Sequence, residues 1–228
     1  ITVHESNKNF MSDENGILFN KDKTKLIQYT AGGKDNSYTI PESVTVIGEN
    51  AFRYSGLSEI IIPKGVTEIG GWAFSCCENL KSITLPESVK VLGDYAFEHC
   101  SELKSVTLPE GLTVIEDNTF DLCEKLESVS IPDSVKEIGR MAFGRCTALK
   151  EITFGKSVSV IEDYAFVACE KLQSVIIPKS VVKIGADAFG DCKKLNEIKY
   201  DGSKKDWNKI EISEENEGLQ KTDIVFAK

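Results

Sequence analysis

The chain has 228 residues, 41% of them hydrophobic and 28% charged, with a formal net charge of -9. The acidic balance disfavours nucleic acid, whose phosphates are held by Lys and Arg, and anionic membrane surfaces. No apolar run reaches the roughly 18 residues that a spanning helix needs, so direct membrane insertion by these residues is excluded.

The chain opens on Ile1 and shows no signal peptide, which suits a processed or trimmed product. Residues 1–40 read as an N-terminal cap. The stretch NGILFNKDKTKLIQYTAGG alternates, turns at Asn20 to Lys23 and alternates again, predicting a β-hairpin. Gly32-Gly33 then leads into the first coil.

From residue 41 to residue 200 one unit recurs seven times. A Phe falls at 52, 74, 97, 120, 143, 166 and 189, so after a first spacing of 22 every spacing is 23. All six prolines, from Pro41 to Pro178, lie on the same lattice, with Gly155 filling the missing rung. Six of the seven cysteines do too, each three residues after its Phe. A fixed period of this length is the signature of a solenoid.

One unit is LKSVTLPEGLTVIEDNTFDLCEK, Leu103 to Lys125. Leu103, Val106 and Leu108 follow the L-x-x-L-x-L strand pattern of leucine-rich repeats. Ser105 to Leu108 alternates as a half-buried strand should. Pro109 ends the strand, because it has no N–H to give the ladder. Leu112 and Ile115 form a second apolar pair, and the Phe and Cys close the coil through a short helical turn. The predicted fold is therefore a repeat solenoid, mostly β, with a parallel sheet on one face, short helical turns and a cap at each end.

Residues 201–228 break the repeat and read as the C-terminal cap. Asp206-Trp207 starts a helical turn that seats Trp207 over the last coil, and Ile224 to Phe226 adds a final strand. No segment looks like a linker, so residues 1–228 are expected to form a single domain.

The pair His99-Cys100 invites a reading as nucleophile and base, since the chain has only two histidines. Cys100, however, is a lattice position, and its five equivalents follow Cys76, Leu122, Arg145, Ala168 and Asp191. Successive side chains at a turn diverge, which denies Cys100 the nearby base that a nucleophile needs. A straight column of thiols does not offer zinc its tetrahedron. Parallel Cβ vectors do not converge for disulfides. The column is thus expected to be buried reduced thiols, with His99 on the surface side and Cys76 the exposed, off-lattice thiol. No catalytic residue, metal or cofactor is expected, and no G-x-S-x-G, H-E-x-x-H or P-loop occurs.

Two rows of side chains are candidate binding surfaces. On the sheet face the middle rungs present Ser82, Thr84, Ser105, Thr107, Ser128, Ser130, Thr153 and Ser174. Such a hydroxyl ribbon suits a glycan or an extended peptide; short polar residues also simply suit an exposed sheet. The alternative row lies two residues before the repeat Phe and contains Trp72, Tyr95, Met141 and Tyr164. Large side chains there are either interface anchors or packing against the next coil. Nearby acids, including Asp94, Glu116, Asp117 and Asp163, read as a solvated face rather than a calcium site.

The unit L-x-x-[IV]-x-[LI]-P-x-x-[VL]-x-x-[IL]-G-x-x-A-F-x-x-C resembles the BspA-like class of bacterial leucine-rich repeats. The match covers Thr39 to about Tyr200, and NGILFNKDKTKLIQYTAG and YDGSKKDWNKIEI resemble that family's entry and exit elements. The departures are local: Ser55 at the first Cys rung, Gly155 for Pro and Thr119 for Ala. The resemblance implies an extracellular or cell-surface protein of a host-associated bacterium. It implies binding or adhesion to a host or bacterial surface protein or glycan rather than catalysis. The competing reading is a structural spacer that displays another domain and has no ligand of its own.

Overall fold

The structure, a computed structural model, describes residues 1–30 and 36–227. The expected Gly32-Gly33 entry lies outside the described residues. The chain winds into a β-solenoid of about nine turns, two more than the seven Phe-bearing coils, because both ends supply further rungs. At the N-terminus, Phe10–Ser12 and Leu18–Asn20 pair antiparallel, and Leu18–Asn20 pairs antiparallel with Lys25–Gln28. Lys25–Gln28 then pairs in parallel with Val46–Ile47 and becomes the first rung of a stack. At the other end Glu211–Ile212 and Asp223–Phe226 each continue a parallel ladder.

Each coil contributes two strands, so parallel pairing runs along two faces instead of one. The first face stacks the three- and four-residue strands from Ser37–Thr39 to Asp223–Phe226. The second stacks pairs such as Glu68–Ile69 on Val91–Leu92 and Glu137–Ile138 on Val160–Ile161. Between the two strands the Pro carbonyl accepts from the amide three residues on, as in Val89 N to Pro86 O at 3.0 Å. That bond makes a one-turn corner after a residue that cannot extend the ladder.

The Phe-bearing side is a ladder of turns, not the predicted helical turns. Alternate amides bond within the coil, as in Ser75 N to Trp72 O at 3.1 Å. The others donate to the next coil, as in Phe74 N to Ala96 O at 2.8 Å. Turning every second N–H outward needs left-handed backbone at two positions per coil, two residues before and two after each Phe. Trp72 (φ 52°), Tyr95 (58°), Cys76 (58°) and His99 (56°) are examples. The helices among the described residues are Lys204–Trp207 and Glu217–Gln220, both in the C-terminal element. Ser203 caps the first, and Trp207 is buried against Tyr200 with ring centroids 5.2 Å apart.

The core is a set of columns running the length of the molecule. The rings of Phe52, Phe74, Phe97, Phe120, Phe143, Phe166 and Phe189 are fully buried and stack with neighbouring centroids between 5.0 Å and 5.4 Å. Tyr29 closes the first end by stacking on Phe52 at 5.2 Å. No coil buries its own edge, so stability comes from neighbour stacking.

Candidate functional site

The alternation of the first strand decides the sheet face. Val106 and its equivalents point to the core, and the residues on either side point out. All eight ribbon residues, Ser82, Thr84, Ser105, Thr107, Ser128, Ser130, Thr153 and Ser174, are exposed. Register pairs six of them, Ser82 beside Ser105, Thr84 beside Thr107 and Ser130 beside Thr153, while Ser128 lies beside Glu151 and Ser174 beside Glu197. Lys81 N to Ser58 O and Glu127 N to Lys104 O carry the ladder across two of the three gaps between paired blocks, and Glu151–Thr153 lies beside Ser174–Ile177 at the third. The face is therefore one surface.

Neither border of this face is apolar. Lys81, Lys104 and Lys150 precede the strands, and Glu87, Glu110 and Asp133 follow the prolines, all exposed. On the lysine side Lys150 pairs with Glu127 at 2.8 Å and Lys125 with Glu102 at 2.5 Å. These bonds hold both carboxyls below the usual range, through the lysine hydrogen bond first. Toward the N-terminal coils the face deepens into a groove of about 740 Å³. Ile61, Thr84 and Thr107 line it, with Lys64, Glu87 and Ser88 at its wall. Ile61 is 50% exposed, an apolar side chain in a column that is otherwise mainly hydroxyl.

The alternative row is half-buried. Trp72 and Tyr95 stack on each other, with centroids 4.9 Å apart and planes 9° from parallel. The buried Asn118 divides them from Met141 and Tyr164, and the Arg140 guanidinium lies 5.8 Å over the Tyr164 ring. All four row residues have left-handed backbone, with φ between 52° and 59°. Each donates its N–H to the next coil, as in Tyr164 N to Ala186 O at 2.8 Å. The neighbouring acids have local partners too. Asp117 Oδ1 accepts Arg140 N and Asp163 Oδ1 accepts Ala186 N, both at 2.7 Å. Among the described residues no group of three or more His, Cys, Asp or Glu is arranged to hold a metal ion.

The thiols divide into two kinds. Cys77, Cys100, Cys123, Cys146 and Cys169 are buried, while Cys192 at the end of the column is half-buried. Each of the six sends its S–H to the carbonyl of the Phe one coil back, at 3.1 Å to 3.2 Å. Burial pushes Cys77 up to about 12, and pushes Cys100, Cys123, Cys146 and Cys169 up as well. Cys76 stands outside the column and is half-exposed. His99 turns away from Cys100, and its Nδ1 lies 4.0 Å from the Cys76 sulfur of the preceding coil. Reading along the chain misses this pair; the signal is the interval of 23 that separates its members.

A solenoid with a long, exposed sheet face defines a repeat-type interaction module, of the typically non-catalytic leucine-rich repeat kind. The repeats place it further. A family profile described as "BspA type Leucine rich repeat region" matches residues 31–146 and 113–214, in six copies, and the chain belongs to that family. Its fold is similar to that of a leucine-rich repeat protein from Eubacterium ventriosum at 29% identity and a TM-score of 0.79, covering 84% of this chain and 52% of that one. A leucine-rich repeat protein from Bacteroides ovatus shares the fold at 24% identity and a TM-score of 0.67, over 99% of this chain and 72% of that one. The pneumococcal vaccine antigen PcpA shares it at 22% identity and a TM-score of 0.54, over 100% of this chain and 50% of that one. The chain thus spans about half the length of the E. ventriosum protein. No curated protein matches it.

Proposed function

We propose that the protein is a non-catalytic binding or adhesion module that acts at the bacterial cell surface. Its ligand would be a surface protein or glycan of the host or of another bacterium. The observation that carries this reading is the ribbon. Eight hydroxyl side chains stand exposed on one face, six of them in three cross-strand pairs, and the face opens at one end into the Ile61 groove. A partner laid along the ribbon meets regularly spaced hydrogen-bonding groups, and the groove supplies an apolar anchor. Membership of the BspA-type family supports the surface location.

The test is a binding screen against extracellular-matrix proteins, mucin and a glycan array, with a variant carrying Ser105→Arg, Ser128→Arg and Thr153→Arg. The expected result is a ligand that the variant loses. A ligand retained by the variant moves the site to the Trp72–Tyr164 row or to the ends. No ligand at up to about 100 μM, a weak limit for specific recognition, favours a spacer that displays another domain.

A further inference from the structure

We propose that Cys76 and His99 form a modification site, a surface thiol with its own proton acceptor that reacts with low-molecular-weight disulfides. The two residues are 23 apart and occupy the same turn position in consecutive coils. Cys76 N donates to Glu98 O and His99 N to Asp121 O, each at 2.8 Å, so the turn ladder itself fixes both backbones. Left-handed backbone at both residues brings the sulfur to 4.0 Å from Nδ1. The surroundings are polar on the remaining sides. The fully buried Ser75 hydroxyl lies 3.6 Å from the Cys76 sulfur and donates to Glu98 Oε2 at 3.1 Å. Arg53 and Tyr54 stand on the coil before, in cation–π contact at 5.0 Å. The Asp121–Arg145 ion pair stands beyond, and the Cys77 thiol lies beneath.

In the tautomer with its proton on Nε2, His99 Nδ1 takes the Cys76 proton. The thiolate attacks one sulfur of the disulfide; a Cys76–sulfur bond forms and the reagent's S–S bond breaks. The leaving thiolate departs with the bonding electron pair, and the proton on His99 passes to it or, where the leaving thiol is acidic, to solvent. The disulfide is the oxidant, and Cys76 is left as a mixed disulfide. Such exchange needs the thiolate, and a base beside the thiol supplies it at neutral pH. The buried lattice thiols lack solvent access.

Native protein is treated with an aromatic disulfide, the released thiolate is followed by absorbance, and the modified residue is located by peptide mass. One fast-reacting thiol is expected, at Cys76, absent in Cys76→Ser and unchanged in Cys192→Ser. His99→Asn keeps a residue that tolerates left-handed backbone but cannot take up the proton. It is expected to slow the reaction about tenfold at pH 7, with the difference closing near pH 10, where free thiols ionise unaided. His99→Gln is measured in parallel, so that a fault in one variant's folding does not decide the result. A fast thiol that maps to Cys192, or histidine variants as fast as the parent at pH 7, overturns the proposal.

Discussion

Each lattice cysteine except Cys192 fills a fully enclosed place, and all six give the S–H to a Phe carbonyl that already accepts one backbone amide. For example, Phe97 O accepts Cys123 Sγ and Cys100 N, both at 3.2 Å. The residue type is set mainly by volume, with a weak hydrogen bond added. Cys123→Ala is therefore expected to cost on the order of 1 kcal/mol in urea unfolding, mostly from the void left by sulfur. Glu116 is a different case. Burial, and then the Asp94, Asp117 and Glu137 charges, push its carboxyl above the usual range. A folded pKa above the unfolded one means that the stabilising contribution is fully present below the unfolded value and is lost as pH rises through the folded one. Glu116→Gln should thus raise the Tm at neutral pH by the equivalent of less than about 1 kcal/mol after solvent screening. The gain should vanish as pH falls through the carboxyl range.

Within one coil the cost of the turn ladder is concentrated in the left-handed residues. Such backbone costs roughly 1–2 kcal/mol for a residue with a Cβ, and the outward N–H bonds offset it. Ala168 has φ 56° and donates to Gly190 O at 2.8 Å, yet its methyl group adds little packing to this strain. Ala168→Gly is expected to stabilise the protein by about 0.5–1 kcal/mol, the reverse of the usual effect of that substitution. Gly155 is the opposite case. A Cβ there would overlap the Pro132 carbonyl, which explains why the one rung without Pro holds Gly. Gly155→Ala should lower stability by about 1–3 kcal/mol in thermal unfolding, because the clash is with backbone and cannot be relieved by a rotamer change. The alternation of Ser105 to Leu108 made the outward ribbon readable without coordinates. The left-handed Trp72 and Tyr95 were not readable, because propensity assigns such backbone to Gly or Asn and only the demands of the neighbouring coil override it.

A solenoid turns distance along the chain into distance in space by one fixed interval. That interval made the Phe, Pro and Cys columns legible, since three residue types marked it. It left the second parallel face and the extra terminal turns less visible, because their rungs are two-residue pairs or fall outside the lattice. Cys76 and His99 were hidden for the same reason: a side chain's neighbours are 23 residues away, and adjacent residues such as His99 and Cys100 face opposite ways. The same one-dimensional order governs unfolding. Each coil touches chiefly the next, so interface terms decide whether the stack opens as one unit. We expect a single cooperative transition from the unaltered chain, with Phe120 at the middle of the ring stack as its most sensitive point. Its ring packs between Phe97 at 5.4 Å and Phe143 at 5.2 Å. Phe120→Ala removes both contacts and costs about 3–5 kcal/mol locally, which weakens the junction between the two halves more than either half. Urea unfolding should then broaden or split, and hydrogen exchange should show the coils near Phe52 and those near Phe189 opening independently. A Phe120→Ala protein that still melts in one transition with an unchanged m-value would show that coupling passes through the two strand ladders instead of the Phe column.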